Sequence, residues 1–417
     1  MDTGHTAWLL TSTALVLFMT PGLAFFYGGM VRGRNVLAML MKNYVAMGVV
    51  TVTWIVIGYS LAFSGDWQGL GLIGNLEFFA LGELGFGTEI GLDDGGDYPD
   101  SVFLLFQLMF AIITPALISG AVAERMKFTS WVVFIAIWSI IVYAPMAHWV
   151  WGGGFIGSSD GTSIPGIGAL DFAGGLVVHI NAGVAALALV MVLGPRLGWR
   201  REVMRPHALP FTVLGAGMLW FGWFGFNAGS ALAADGAAGN AFLTTQIAAG
   251  VAALTWALAE QFKHGRPTTL GFASGAVAGL VAITPAAGFV SPLWALVIGV
   301  AAGLICFLAL QIKFRYGFDD SLDVVAVHMV GGIVGALLLG LFAEAAIGGT
   351  DGAFFGNVEQ LLRQAISIVV ALVFSFVVTY VIAVIIDRTM GLRVSEDEER
   401  RGLDVALHEE QGYVLTE

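Results

Sequence analysis

Two histidines stand inside long apolar runs, His179 in GLVVHINAG (175–183) and His328 in DVVAVHMVGG (323–332). An imidazole is costly in hydrocarbon, so an ionisable side chain there marks a pathway unless it is a core residue hydrogen-bonded to backbone. Each histidine follows a carboxylate near the start of its run, Asp171 or Asp323, and both carboxylates are expected to be buried. Asp171, ahead of FAGG, is expected to cap a helix by accepting backbone N–H groups and complementing the dipole. Neutral imidazole is also a common metal ligand, which leaves axial ligation of a haem as a second chemistry, although nothing else in the chain speaks for redox function.

The other residues with chemical capacity are aromatic. FQLMF holds Phe106 and Phe110, HWVWGGG holds Trp149 and Trp151, and WFGFNAGSA holds Trp223, Phe226, Asn227 and Ser230. Singly, such rings are core or interfacial residues. Clustered with a hydroxyl near span ends, they also suit a cation site in which ring faces replace lost water. Both readings stay open on the residues alone. No nucleophile elbow, His-Glu-x-x-His site or Walker loop competes, and the Thr-Val-Gly-Tyr-Gly potassium filter is absent. The chain is therefore not expected to be an enzyme, to need a cofactor or metal, or to bind nucleic acid.

The elements that must position these residues are membrane helices. The chain is 58% hydrophobic and 12% charged, with mean hydropathy +0.85. Eleven apolar runs are long enough to cross hydrocarbon, at about 7–28, 36–62, 101–123, 129–151, 170–193, 209–232, 240–262, 268–286, 290–312, 322–345 and 359–387. The 57 glycines permit close helix packing, as in GFASGAVAG, where Gly271, Gly275 and Gly279 share one face. The acidic start MDTGHTAWLL runs straight into a full-length span, so the first helix is expected to be retained and not cleaved. The lone cysteine, Cys306, excludes an intrachain disulfide.

Basic residues fall in every second connection: Arg32 and Arg34, Arg125 and Lys127, Arg196 to Arg205, Lys263 and Arg266, Lys313 and Arg315, and Arg388 onward. The positive-inside rule makes those connections cytoplasmic, with the N-terminus outside and the C-terminus inside. Lys42 and Arg363 break the alternation and are expected to snorkel from span ends. The net charge of −12 reflects an acidic tail and acidic outer connections, above all 64–100. AIITPALISG in the third span echoes AITPAAG in the eighth, and LDFAGGLVVHINAGV in the fifth echoes LDVVAVHMVGGIVG in the tenth. Two five-helix copies would insert with opposite orientation, an inverted repeat of the transporter kind.

These clusters, in this order, resemble the ammonium transporter (Amt/Mep/Rhesus) superfamily, prokaryotic Amt type. The likeness runs from TAWLLTSTALVLFMTPGLAFFYGGMVRGRN through GAVAERMKF, HWVWGGG, GALDFAGGLVVHINAG, WFGFNAGSA, LVAITPAAG and DDSLDVVAVHMVGG to GLRVSEDEERRGLDVALHEEQGY. It implies a membrane domain over 1–387, a cytoplasmic regulatory tail over 388–417 and a multi-pass protein of the cell membrane. Trp151, Phe110 and Ser230, with Phe106, become an outer ammonium recruitment site. Phe110 and Phe226 become a gate, and His179 and His328 a twin-histidine lumen. Asp171, Trp223, Thr284 and Asp323 become supporting residues. The resemblance also implies a homotrimer and a PII-type signalling protein at the cytoplasmic face, the alternative for the tail being a merely solvated segment. Ammonium sensing through a cytoplasmic partner is the rival function; the chain's end about 30 residues after the last span favours transport.

Overall fold

In hydrocarbon each backbone N–H and C=O must be paired within the protein, which leaves helices as the economical solution for runs such as these. A computed structural model describes residues 1–82, 98–158 and 166–413. Among them ten helices are long and apolar enough to cross a membrane: α1 Thr3–Met30, α2 Gly33–Phe63, α3 Asp100–Ile118, α4 Phe128–Val150, α5 Gly175–Leu193, α6 Leu209–Gly229, α7 Gly236–His264, α9 Pro292–Tyr316, α10 Val325–Phe342 and α11 Val358–Met390. The run expected at 268–286 forms a shorter apolar helix, α8 Thr269–Ile283, because the chain turns at Thr284 and Pro285. Of the acidic connection, Glu83, Glu89, Asp93, Asp94 and Asp97 lie outside the described residues.

The interior is largely apolar, and the polar groups of the outermost helices face inward. On α11, Val369, Val373, Val377, Val381 and Ile385 form an exposed stripe at helical spacing, while Gln364, Ser367, Ser375 and Thr379 are buried. The buried groups are paired: the Trp138 indole donates to Thr379 Oγ1 at 2.9 Å, and Ser375 Oγ donates to the Asn181 carbonyl at 3.0 Å. Small residues set the closest approaches, as expected for helices that lack a hydrophobic driving force between them. A Cβ on Gly275 of α8 would come within 2.6 Å of the Trp256 Cβ on α7. Where α5 crosses α10, a Cβ on Gly183 would come within 2.7 Å of the Met329 Cα.

One end of the bundle is tied by buried charge. Arg125 has no exposed surface and donates to the Gly194 carbonyl at 2.8 Å, Ser321 Oγ at 2.7 Å and the Asp319 carbonyl at 2.6 Å. Arg196 pairs with Asp319 at 2.9 Å, and Glu124 pairs with Arg32 at 2.7 Å. The connections after α1, α3, α5 and α9 thereby meet at this end.

The C-terminal segment docks there through α12 Glu396–Arg401 and α13 Leu403–His408. Glu399 accepts from Arg393 at 2.6 Å and from the Leu197 amide at 2.6 Å. Asp404 accepts from the Ala38 amide at 2.8 Å, in the first turns of α2. Glu399, Leu403 and Asp404 are each at most 2% exposed. Lys42 corrects the snorkelling expectation: it is 1% exposed, enclosed beside Trp131, whose indole donates to the Lys42 carbonyl at 2.9 Å.

The α5–α10 crossing has no room for a branched side chain. Gly183→Val is expected to destabilise the protein by roughly 1–3 kcal/mol, the usual cost of overpacking, read as a lower melting temperature in detergent. Gly48→Ala, at a position where an added Cβ meets nothing within 4 Å, is expected to melt as the unmodified protein does.

Candidate functional site

The two histidine-bearing helices begin abnormally. Gly174 adopts φ +114°, a left-handed conformation that glycine reaches without strain, and residues Gly175–Ile180 form a π-turn before regular α-helix resumes. Helix α10 also opens with a π-turn, Val325–Met329. Such turns leave backbone groups unpaired within the helix and recur at functional sites.

At α5 the deficit is met by Asp171. Its Oδ1 accepts the amides of Gly174 at 2.9 Å and Gly175 at 2.6 Å. Its Oδ2 accepts those of Leu176 at 2.8 Å and Val177 at 3.3 Å. The capping role expected of Asp171 is what the geometry has. Its own carbonyl accepts the Trp151 indole N–H at 2.9 Å, so the capped turn also fixes a ring.

At α10 the expectation needs correction. Asp323 is not a buried cap: its side chain is 34% exposed and pairs with Lys313 at 2.6 Å. The buried carboxylate is Asp320, 1% exposed, whose Oδ2 accepts the Val325 amide at 2.7 Å. Asp171 precedes His179 by the same eight residues by which Asp320 precedes His328, a spacing legible in DDSLDVVAVH. The matching Leu-Asp dipeptides point to Asp323, whereas the eight-residue interval points to Asp320.

From the cap the rings run inward in contact. Trp151 meets Phe110 edge-on at 6.0 Å between centroids, and Phe106 meets Phe110 at 4.9 Å. Phe110 lies 4.2 Å from Phe226 at an interplanar angle of 32°, and both rings are 1% exposed. Phe226 lies 6.1 Å from His179. His179 is 5.3 Å from His328, with the two Nδ1 atoms 3.2 Å apart. Trp223 stacks on His179 at 5.5 Å and donates its indole N–H to Thr284 Oγ1 at 2.9 Å. Ser230, one turn beyond Phe226 on α6, donates to the Phe226 carbonyl at 2.8 Å, which leaves its oxygen free to accept. Direct contacts thus join Asp171, Trp151, Phe106, Phe110, Phe226, His179, His328, Trp223 and Thr284, whereas Ser230 bonds only to the Phe226 carbonyl and Asp323 pairs with Lys313.

Around the histidines the lining is apolar, with Ile113, Leu117, Val178, Leu219 and Val277. In a Nδ1 to Nδ1 hydrogen bond one ring must donate and the other accept, so one of the two carries its proton on Nδ1 and the other on Nε2. His179 Nε2 is buried without a protein partner. The pair can thus present both a lone pair and an N–H to a small neutral molecule.

A model described as the Ammonium Transporter Family matches residues 7–413. The chain is 51% identical over 432 residues to an ammonium transporter of Mycobacterium tuberculosis, covering 99% of this chain and 90% of that protein. It is 47% identical over 417 residues to an ammonium transporter of Aquifex aeolicus, covering 100% and 94%. Its fold is similar to the crystal structure of Saccharomyces cerevisiae Mep2, with TM-score 0.87 and 36% identity, over 95% of this chain and 88% of that one.

The two carboxylates before His328 are separable by stability. Asp320→Ala leaves a buried amide without its acceptor and is expected to cost roughly 1–3 kcal/mol. Asp323→Asn breaks a half-exposed ion pair and is expected to cost at most about 1 kcal/mol. Thermal melting of the two variants in one detergent checks the order.

Proposed function

The chain belongs to the ammonium transporter family, and on that premise we propose that it recruits ammonium at the aromatic mouth, releases its proton beside the phenylalanine pair, either back to outer water or onward along the histidines, and conducts ammonia along the twin histidines. The observation that carries this reading is the unbroken row from Trp151 through Phe110, Phe226 and His179 to His328, polar only at its two ends. Moving an intact small cation into such a lining costs tens of kcal/mol on an idealised Born basis, whereas neutral ammonia loses only hydrogen bonds that an imidazole can replace. Trp151, Phe106, Phe110 and the Ser230 oxygen form the recruitment site, since ring faces and one acceptor oxygen compensate a partly dehydrated cation. Phe110 and Phe226, in contact, form the gate. Asp171 supports the mouth by holding Trp151 and the first turn of α5, Trp223 and Thr284 hold the flank of His179, and Asp323 supports the inner vestibule with Lys313.

The crossings follow the same logic. Eleven helices, including the short α8, cross the membrane as an inverted five-plus-five repeat. The support is that α5 and α10 both open with a carboxylate-capped π-turn and bring their histidines together from opposite ends. The basic cluster of Arg32, Arg125, Arg196 and Lys313 supports a cytoplasmic end, which puts the N-terminus outside and the C-terminus inside. Residues 1–387 form the transporting domain and 388–417 a regulatory segment, whose docked α12 and α13 offer a rigid face for a PII-type partner. The resemblance carries the homotrimer, with one pore in each subunit. The relatives named above, 51% and 47% identical, are ammonium transporters, which supports transport over sensing.

The direct test is an ammonium pulse given to proteoliposomes while current and internal pH are recorded. Current with internal alkalinisation short of that for free ammonia supports ammonia conduction with a proton relay; alkalinisation without current supports ammonia alone. Absence of both overturns the proposal.

Two variants probe its parts. Trp151→Leu is expected to lose roughly 0.5–2 kcal/mol of cation binding, the range of one cation–π contact, seen as a higher half-saturating ammonium concentration. His179→Asp is expected to admit potassium, because a fixed negative charge stabilises an intact cation in the lumen. His328→Ala is expected to lower ammonium-evoked current more than protein yield. Wild-type currents and selectivity in both histidine variants, at normal yield, would remove the histidines from the pathway.

A further inference from the structure

One buried imidazole outside the row of rings faces two acceptors. His148, in the last turn of α4, has no exposed surface. Its Nδ1 lies 3.1 Å from the Ala62 carbonyl oxygen in the last turn of α2. Its Nε2 lies 3.0 Å from Oδ1 of Asp66 in the loop that follows. A backbone carbonyl only accepts, and so does an ionised carboxylate. A neutral imidazole carries one N–H, so it would satisfy one partner and face the other lone pair to lone pair. Both contacts are hydrogen bonds only if the pair holds two protons, and an imidazole nitrogen is a stronger base than a carboxylate oxygen. A cation also suits the position, because the carbonyl-rich end of α4 favours positive charge. We infer that His148 is held as an imidazolium in an ion pair with Asp66, and that this pair is a positioning device for Trp151.

The surrounding backbone says what the pair positions. The loop after α2 closes on itself, with the Trp67 amide donating to the Ile73 carbonyl and the Asn75 amide to the Gly65 carbonyl, both at 2.8 Å. It then grips the end of α4: the Trp149 indole donates to the Leu72 carbonyl at 2.6 Å, and the Phe155 amide to the Gly71 carbonyl at 3.2 Å. The His148 carbonyl accepts the amides of Gly152 at 3.0 Å and Gly154 at 2.9 Å, which bracket the turn that begins at Trp151. A Cβ on Gly152 would collide with the same Ala62 carbonyl that His148 reaches. Helix α2, its loop and the Trp151 turn therefore meet at one side chain. With a neutral His148 opposite an ionised Asp66 one of its two contacts is lost, and the turn that carries Trp151 is held less firmly to α2 and its loop. The positioning half of this inference rests on the recruitment site proposed above; the protonation half does not.

The test has a spectroscopic arm and a transport arm, both on the full-length protein. In the first, nitrogen-15 histidine spectra are recorded near pH 7.5, and His148 is identified among the seven histidines by the signals lost in His148→Gln. Two protonated ring nitrogens are expected in the unmodified protein. Asp66→Asn can still donate an amide N–H to Nε2, so one protonated and one bare nitrogen are expected there. A bare nitrogen on His148 in the unmodified protein overturns the imidazolium assignment.

In the second arm, Asp66→Ala is expected to raise the half-saturating ammonium concentration by roughly two- to tenfold, the range for one misaimed cation–π contact, with a smaller change in maximal rate. Asp66→Asn, which keeps both hydrogen bonds with a neutral ring, is expected to restore it towards wild type. Trp151→Leu separates the failures. If it weakens half-saturation and Asp66→Ala does not, the positioning role is overturned alone. If neither does, the recruitment reading falls with it. Should Asp66→Ala fail to fold, Asp66→Asn with the half-saturation of Trp151→Leu would overturn positioning by hydrogen bonding.

Discussion

The Asp171 carboxylate is the interaction from which the geometry of the site follows. A helix that starts inside a membrane bundle exposes amides that neither water nor lipid can pair. Asp171 accepts four of them, so α5 can start with a π-turn after a left-handed Gly174. That start sets the depth of His179. The same residue's carbonyl holds Trp151, so one residue fixes both the outermost ring of the row and the histidine below it. Removing the acceptor would leave several buried donors unpaired at once, which is costlier than any single contact in the row.

The second half of the bundle solves the same problem with a different surrounding. Asp320 meets the Val325 amide, and its neighbour Asp319 is drawn into the Arg196 and Arg125 cluster. The start of α10 is therefore tied to the charged network that also anchors Glu399 of the C-terminal segment through Arg393 and Leu197. Buried charges of this kind contribute little net stability, but removing one partner is strongly destabilising. Arg125 bonds to both sides: its guanidinium donates to Ser321 in the connection before α10, and its carbonyl accepts the Val394 amide of the C-terminal segment.

Much of this was legible beforehand because membrane helices are dictated by length and hydropathy, and because the two histidines are chemically out of place in such runs. The aromatic clusters were visible as well, although their contact order was not: Phe110 and Phe226 lie on α3 and α6, far apart in the chain, and only packing makes them neighbours at 4.2 Å. Two local signals in the sequence mislead. Lys42 looked like a snorkelling residue, since position along a helix does not say which face the neighbours cover. Asp323 looked like the partner of Asp171 because its dipeptide matched, yet the half-exposed pairing with Lys313 follows from where α9 ends.

What the sequence determined by itself was the membrane class, the alternation of charge between connections and the identity of the polar residues enclosed by apolar runs, since each depends on the cost of placing a residue type in hydrocarbon. What only the tertiary structure decided was which carboxylate caps which helix, which ring touches which, and that His148 stands between two acceptors. Those are matters of ångströms between segments remote in the chain, and hydrogen bonds and ring contacts are won or lost over less than one ångström.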